Sequence, residues 1–291
     1  MSEGPSTNKL LPNGCDTHVH IIGLQDIYPM VQSRHYTPGP ASVLQLKSHL
    51  TNQGIGKAVI VQPSVYGTDN SCLLAAIAEM GQQARGIAVL DPQISASELQ
   101  ALDEQGIRGI RLNFESSGNQ SVDQLKQALT EWTPRLEGLG WHIQVYAPFA
   151  VTTACAPVIQ SCPVPVVLDH FGLWPANHIE TPETRAMLRL FEAGHIYIKL
   201  SASYRLPGFT EEKLNQLTQQ LLQVRPDRLL WASDWPHTNR EPGVAAHSVS
   251  RYRNIHTNAL VRERLSWLNN LSNQRQVLEE NPNSLYRFSD S

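Results

Sequence analysis

Eight short runs rich in Val, Ile and Leu punctuate the chain: Gly14–Ile21, Lys57–Gln62, Arg85–Leu90, Ile107–Phe114, Trp141–Tyr146, Val164–His170, His195–Ser201 and Leu229–Trp235. Most read as near-continuous apolar stretches rather than strict alternations, the pattern of strands covered on both faces. Between them lie segments with helical spacing. Val43–Asn52 places Val43, Leu44, Leu46 and Leu50 along one stripe, and Ser71–Gly81, Ser95–Gln105, Ser121–Leu139, Thr181–Ala193 and Thr210–Val224 behave alike. Ser95 followed three residues later by Glu98 predicts a capping box. Gly81, Gly106 and Gly194 stand where helices should stop.

This alternation predicts an α/β chain folded as a single (β/α)8 TIM barrel, and 291 residues suit that fold. A doubly wound sheet competes, but no Gly-rich fingerprint follows the first run, where a nucleotide fold requires one. Residues 1–13 read as an N-terminal tail and 14–291 as the barrel. Beyond Asn254 the chain predicts closing helices at Ala259–Leu268 and Asn273–Glu280, stopped by Asn281-Pro282-Asn283.

Composition narrows the setting. At 41% hydrophobic and 17% charged residues the chain is an ordinary globular sequence, and 23 basic against 26 acidic residues give a net charge of -3. No positive field exists to hold nucleic acid or an anionic membrane surface, so neither is expected as a partner. Met1 to Asn13 contains no apolar stretch of signal-peptide type, and no run approaches a membrane span. Cys15, Cys72, Cys155 and Cys162 are far apart without C-x-x-C spacing, which predicts free thiols and a cytoplasmic protein.

In a barrel the active site forms at the C-terminal strand ends, and polar residues gather there. The first strand ends Asp16-Thr17-His18-Val19-His20, with a two-residue spacing that turns both imidazoles inward. The second ends Gln62-Pro63-Ser64, the fourth Arg111-Leu112-Asn113, the sixth Asp169-His170, the seventh Lys199-Leu200-Ser201 and the eighth Ser233-Asp234-Trp235-Pro236-His237. Each has a plain structural reading. An isolated H-x-H is usually incidental, Asp16 and Asp169 can orient neighbouring rings, and Lys199 can pair with a barrel carboxylate. His142 and Gln144, deeper along the fifth strand, fit a satisfied core hydrogen bond. The coincidence of His18, His20, His170 and Asp234 at one end of the barrel is what points to chemistry.

Those motifs resemble the amidohydrolase superfamily, specifically the amidohydrolase-2 group and its 2-pyrone-4,6-dicarboxylate lactonase branch. Supporting segments are Tyr36-Thr37-Pro38, Tyr66-Gly67-Thr68-Asp69-Asn70, Gly109-Ile110-Arg111-Leu112-Asn113-Phe114, Asp169-His170-Phe171-Gly172 and Ser233-Asp234-Trp235-Pro236-His237. The resemblance implies hydrolysis of a carboxylated lactone in the breakdown of ring acids, with a small anionic lactone as partner of a monomer or homo-oligomer. It implies Asp234 as general base, His18, His20 and His170 polarising the carbonyl and organising water, and Tyr36, Arg111 and Arg205 holding substrate carboxylates. Ser64 and Tyr146 would complete the pocket. Oxyanion donors and a planar guanidinium are the groups such a reaction needs. One departure stands out: Phe114 to Gly118 lacks a further arginine expected there, so Arg34 or Arg240 substitutes or the substrate differs.

Arg111 and Asn113 on the fourth strand offer no carboxylated lysine, and Tyr146 rather than His ends the fifth. Both features argue against a binuclear centre. The resemblance to the pyrone lactonases implies histidines that act directly and no required cofactor; the residues themselves would accept at most a single zinc or other divalent cation on His18, His20, His170 and Asp234. The alternatives are a metal-dependent decarboxylase of an aromatic or muconate-type acid and a sugar lactonase.

Overall fold

All eight apolar runs are strands in a computed structural model, which describes residues 11–116, 118, 120–176 and 181–288. They are β1 (Leu11–Val19), β2 (Ile55–Val61), β3 (Ala84–Ala88), β4 (Ile107–Asn113), β5 (His142–Tyr146), β6 (Val166–Leu168), β7 (Ile196–Leu200) and β8 (Leu229–Trp231). Each pairs in parallel with the next in sequence order. Beyond the last strand the ring is drawn together. Thr17 Oγ1 donates to Trp231 O at 2.9 Å, Asp234 N to His18 O at 3.1 Å, and His20 N to Trp235 O at 2.8 Å. The result is the TIM barrel that the alternation predicts.

Helices α1 (Val43–Gln53), α2 (Ser71–Met80), α3 (Ala96–Glu104), α4 (Val122–Leu136), α5 (Phe149–Ala154), α6 (Ala156–Ser161), α7 (Pro182–Glu192), α8 (Glu211–Val224) and α9 (Thr257–Trp267) surround it. The Ser95–Glu98 capping box forms, and Ser42 with Gln45 builds another on α1. Gly81, Gly106 and Gly194 all have positive φ, as helix stops require. The short α5 and α6 escaped the periodicity because six residues hold less than two turns. No helix among the described residues is long and apolar enough to cross a membrane.

Two ends differ from expectation. β1 begins at Leu11 rather than Gly14, and residues 1–10 of the expected tail lie outside the described residues. At the C-terminus the helix does not stop at Asn281-Pro282. Leu271–Arg275 runs through a π-helical turn, Gln276–Glu280, into a further helix, Asn281–Tyr286. Pro282 falls in the first turn of that last segment, where a missing N–H costs little. The Asn281 amide anchors it by donating to Pro226 O and Leu229 O, both at 2.7 Å.

Apolar side chains divide into two cores. The larger lies between strands and helices; the smaller plugs the barrel's lower interior with Cys15, Val59, Val61, Ile87, Val167, Tyr197, Leu230, Tyr286 and Phe288. Above the plug the interior turns polar, because inward positions at period two on β4, β5 and β7 carry Arg111, Gln144 and Lys199. All four cysteines are free thiols.

His142 departs from its expected satisfied state. It is fully buried, meets Tyr286 edge-on at 5.2 Å between centroids, and neither ring nitrogen has a hydrogen-bond partner. Gln144 does match expectation, donating to Asp169 and accepting from Lys199. Gly109, opposite His142 in the β4–β5 ladder, leaves room for the imidazole: a Cβ there would lie 2.6 Å from His142 O and 2.9 Å from its Cε1.

Burial presses the interior histidines toward neutrality. It pulls His142 down to about 3, and His170 and His237 down to about 4.

Gly109→Ala should therefore cost about 1–3 kcal/mol by overpacking, read as a lowered Tm in a thermal scan; an unchanged Tm would show that His142 yields freely. The histidines set an acid limit. An unfolded chain binds protons on them near pH 6.5, the folded chain only near 3 to 4. Their contribution to stability is complete above pH 6.5 and is lost as pH falls through that window. Tm should hold level down to about pH 6.5 and then drop toward pH 4.5; a Tm that rises over this interval contradicts the assignment.

Candidate active site

Two strands stop before the polar residues expected at their ends. β6 ends at Leu168 and β8 at Trp231, so His170 and Asp234 lie beyond strands expected to run through them. Both take left-handed backbone, φ 50° and 61°, as does His237 at 68°. For residues with a Cβ this conformation costs on the order of 1–3 kcal/mol. It turns the chain sharply at the barrel mouth, and hydrogen bonds hold the turns. Asp16 Oδ1, for example, accepts from Ser233 N at 3.0 Å and His18 N at 3.3 Å. His49 on α1 lies 3.4 Å from the other Asp16 oxygen.

At the mouth four side chains converge. His18 Nε2 and His20 Nε2 are 3.3 Å apart. Asp234 Oδ1 lies 3.8 Å from His18 Nε2, 3.6 Å from His20 Nε2 and 3.9 Å from His170 Nε2. All four residues are at most 4% exposed. Thus the H-x-H, the sixth-strand histidine and the eighth-strand aspartate meet at one point.

Partners on the far side of each ring set its protonation. His20 Nδ1 lies 2.7 Å from Val61 O, an acceptor only, so a hydrogen sits on Nδ1, and in the neutral ring Nε2 carries the lone pair. His18 Nδ1 lies 3.1 Å from Asp169 Oδ1. Burial would raise the Asp169 pKa, but His18, Lys199 and Arg111 outweigh it and hold this carboxyl well below the usual range. The ionised Asp169 accepts from His18 Nδ1–H, again leaving Nε2 as a lone pair. His170 Nδ1 is 2.8 Å from Ser201 Oγ, a hydroxyl able to donate or accept. Burial lowers the His18 pKa well below its ordinary value, so it is neutral at physiological pH.

Asp234 is held asymmetrically. Its Oδ2 accepts from Tyr204 Oη at 2.7 Å and Arg205 Nε at 2.9 Å, with Arg205 Nη2 at 2.8 Å. Its Oδ1 is buried with no hydrogen-bond partner. Burial raises its pKa, but the Arg205 guanidinium overcomes this and keeps the carboxyl well below the carboxylate range. Beneath the histidines Asp169 gathers Arg111 Nε and Nη2, both at 3.2 Å, Gln144 Nε2 at 3.1 Å and Lys199 Nζ at 3.6 Å. Lys199 is thus the structural partner of a barrel carboxylate, and Asp169 orients His18.

A cavity of about 240 Å³ opens over this point. Its wall includes eight of the nine residues singled out in the sequence: His20, Tyr36, Ser64, Arg111, Tyr146, His170, Arg205 and Asp234. His18 lies fully buried beside it. Arg111 and Arg205 face the cavity while already paired with Asp169 and Asp234. Of the two substitutes for the missing arginine, Arg240 lines the cavity, whereas Arg34 is tied to Thr37 Oγ1 at 2.8 Å and Val31 O at 2.9 Å. His35, Glu115 and Asn239 on the wall, and Tyr204 behind Asp234, escaped the sequence reading because no strand-end motif marks them.

Among the described residues, two groups can hold a metal ion, His18–His20–Asp234 and His18–Asp169–His170. The first fits better. Two fixed imidazole lone pairs and a carboxylate oxygen without a hydrogen-bond donor form an electron-rich cluster suited to a divalent cation. In the second group, Asp169 already has its oxygens engaged by Arg111, Gln144 and His18.

Known proteins share this arrangement of chain. The 2-pyrone-4,6-dicarboxylate hydrolase of Comamonas testosteroni is 32% identical over 244 residues, 79% of this chain and 79% of that protein. The 4-sulfomuconolactone hydrolase of Hydrogenophaga intermedia is 26% identical over 284 residues, 94% of this chain and 89% of its own. Among solved structures, a probable 2-pyrone-4,6-dicarboxylic acid hydrolase of Acinetobacter baumannii, with citric acid bound, superposes at a TM-score of 0.81. It is 28% identical, and the match covers 95% of this chain and 100% of that one. The family model described as amidohydrolase matches residues 15–288, nearly the whole barrel, and the chain belongs to that amidohydrolase family.

Proposed function

We propose that the protein is a lactone hydrolase that opens a carboxylated cyclic ester, similar to 2-pyrone-4,6-dicarboxylate, by water attack at the ring carbonyl. The observation that carries this reading is Asp234 Oδ1: a buried, ionised carboxylate oxygen without a donor, facing three imidazoles at the floor of a cavity lined by arginines. The relatives named as pyrone-dicarboxylate and sulfomuconolactone hydrolases support the same class of substrate.

In this mechanism Asp234 Oδ1 takes a proton from water as the water oxygen bonds to the carbonyl carbon. Tyr204 and Arg205 fix Oδ2, which leaves Oδ1 as the free acceptor. The carbonyl π pair moves onto oxygen, then returns as the ring C–O bond breaks. The departing ring oxygen receives the proton from Asp234, which is again ionised. One water is consumed and a ring-opened acid is released.

Tyr146, whose hydroxyl burial keeps protonated, is a donor on the wall able to meet the oxyanion. Tyr36, Ser64, Arg240 and the Arg111 nitrogen not committed to Asp169 are suited to the substrate carboxylate. With Nε2 as a lone pair, His18 and the neutral form of His20 are suited to accept from water or to ligate a cation.

Asp234, held so acidic by Arg205, is a weak base, and the donor set supports the one-cation form of the expectation, with His18, His20 and Asp234 as the residues that would hold the ion. A zinc-like ion bound there supplies Lewis acidity that makes water easier to deprotonate.

Asp234→Asn should keep its fold, seen as an unchanged circular dichroism spectrum, and lose kcat by roughly two to four orders of magnitude. Activity within a few-fold of the unsubstituted protein would remove Asp234 from the role of base. Elemental analysis of protein purified without chelator should find divalent metal near stoichiometry. Its removal by dialysis against a chelator should abolish hydrolysis, and its return should restore it. Full turnover by metal-depleted protein would reinstate the metal-free reading.

A further inference from the structure

A second cavity, of about 530 Å³, adjoins the reaction cavity and shares Glu115, Tyr146 and Arg205 with it. Its character is different. Phe149 at the start of α5 and Trp174 beyond β6 form one side, with ring centroids 5.2 Å apart and planes inclined at 53°. Leu173 and Leu206 add aliphatic surface. These residues come from the loops after β5, β6 and β7, which places the cleft at the same end of the barrel as the reaction cavity.

We propose that this cleft is the subsite for an uncharged, apolar arm on the lactone ring, and that the substrate class is a ring carboxylate bearing an aryl or alkyl substituent. The inference rests on the lactone-hydrolase reading and specifies its substrate.

Three observations carry it. The cleft lies directly beside the reaction cavity and shares three wall residues with it, close enough for a substituent on a ring bound there to reach it. Its aromatic and aliphatic walls match the lining by which small-molecule sites bury apolar groups. Charge then selects against an ionic group in it. Glu115 stands on the wall common to both cavities, its backbone N–H donating to Tyr146 O at 3.0 Å. The one arginine on the cleft wall, Arg205, is already matched by Asp234. A second carboxylate directed here would meet a like charge and apolar walls, both unfavourable. Arg111 and Arg240 lie on the reaction cavity alone, so the anionic end of the substrate belongs there.

The test compares two synthetic lactones that share one ring carboxylate, one bare and one carrying a phenyl arm, with a dicarboxylated lactone as third substrate. The unsubstituted protein should hydrolyse the arylated lactone with a kcat/KM at least about tenfold above the bare one. Phe149→Ala should remove most of that advantage while leaving the bare lactone within about twofold. Phe149 is half-buried, and Trp174→Phe serves as a milder second variant that should reduce the advantage in part. Glu115→Arg should raise kcat/KM for the dicarboxylated lactone relative to the other two. Equal rates on bare and arylated lactones, or an advantage untouched by both aromatic substitutions, would overturn the arm subsite and leave the lactonase standing. Failure to hydrolyse any of the three would overturn the lactonase reading, and the subsite with it.

Discussion

The Asp169 carboxylate is the interaction on which the interior depends. It follows β6 yet gathers His18 from β1, Arg111 from β4, Gln144 from β5 and Lys199 from β7. A fully buried carboxylate is costly unless its charge is met and its lone pairs are engaged, and here both conditions hold. Lys199, lowered to about 8 by burial, remains mostly protonated at neutral pH and also donates to Gln144 Oε1 and Thr17 O. Removing Asp169 would leave Arg111 and Lys199 inside the barrel without their carboxylate. The network thereby fixes the relative positions of five strands around the axis. The catalytic consequence follows from one of its bonds: Asp169 takes the hydrogen of His18 Nδ1 and so decides what His18 Nε2 can do.

That logic extends upward. Three buried carboxylates, Asp16, Asp169 and Asp234, are balanced by three buried or partly buried cations, Arg111, Lys199 and Arg205. Arg240 adds a further cation on the cavity wall, where an anionic substrate would meet it. Arg205 and Tyr204 also restrain Asp234 from one side, which makes a single carboxylate oxygen available. The left-handed turns at His170 and Asp234 carry conformational cost, and such cost persists where surrounding bonds over-determine the geometry. The Asp16 bonds to Ser233 and His18 and the bond from Asp234 N to His18 O supply that determination.

Much of this was legible in the sequence because the relevant signals are local. Eight apolar runs separated by helical spacing gave the barrel, and strand-end polarity gave His18, His20, His170, Asp234 and most of the cavity wall. What escaped depends on partners distant in the chain. Nothing beside Arg111 announces that Asp169 takes two of its nitrogens, 58 residues away. Likewise Arg205 reads as a free anion holder until Asp234, 29 residues on, appears against it. His142 was misread because a polar residue on a strand gives no notice of whether a partner will face it. The strand limits at His170 and Trp235 failed for a related reason. Local apolar patterning cannot distinguish a strand that continues from one that turns left-handed under tertiary restraint.

Chemistry and selectivity occupy different layers of this molecule. The reacting groups rise from a buried polar network, in which a change at one strand is felt at four others. The walls of the cleft belong instead to the loops after β4, β5, β6 and β7, which supply Glu115, Phe149, Trp174 and Leu206. Substitution in that outer layer alters size and charge at the mouth. Barrels are suited to this division, since rigid strands hold the reacting groups while separate loops meet the rest of the substrate. An acidic residue at the junction of the two cavities is therefore a small change with a large effect on choice of substrate. It redirects a site built around arginines toward one anionic end and one apolar end, with the hydrolytic centre unchanged beneath.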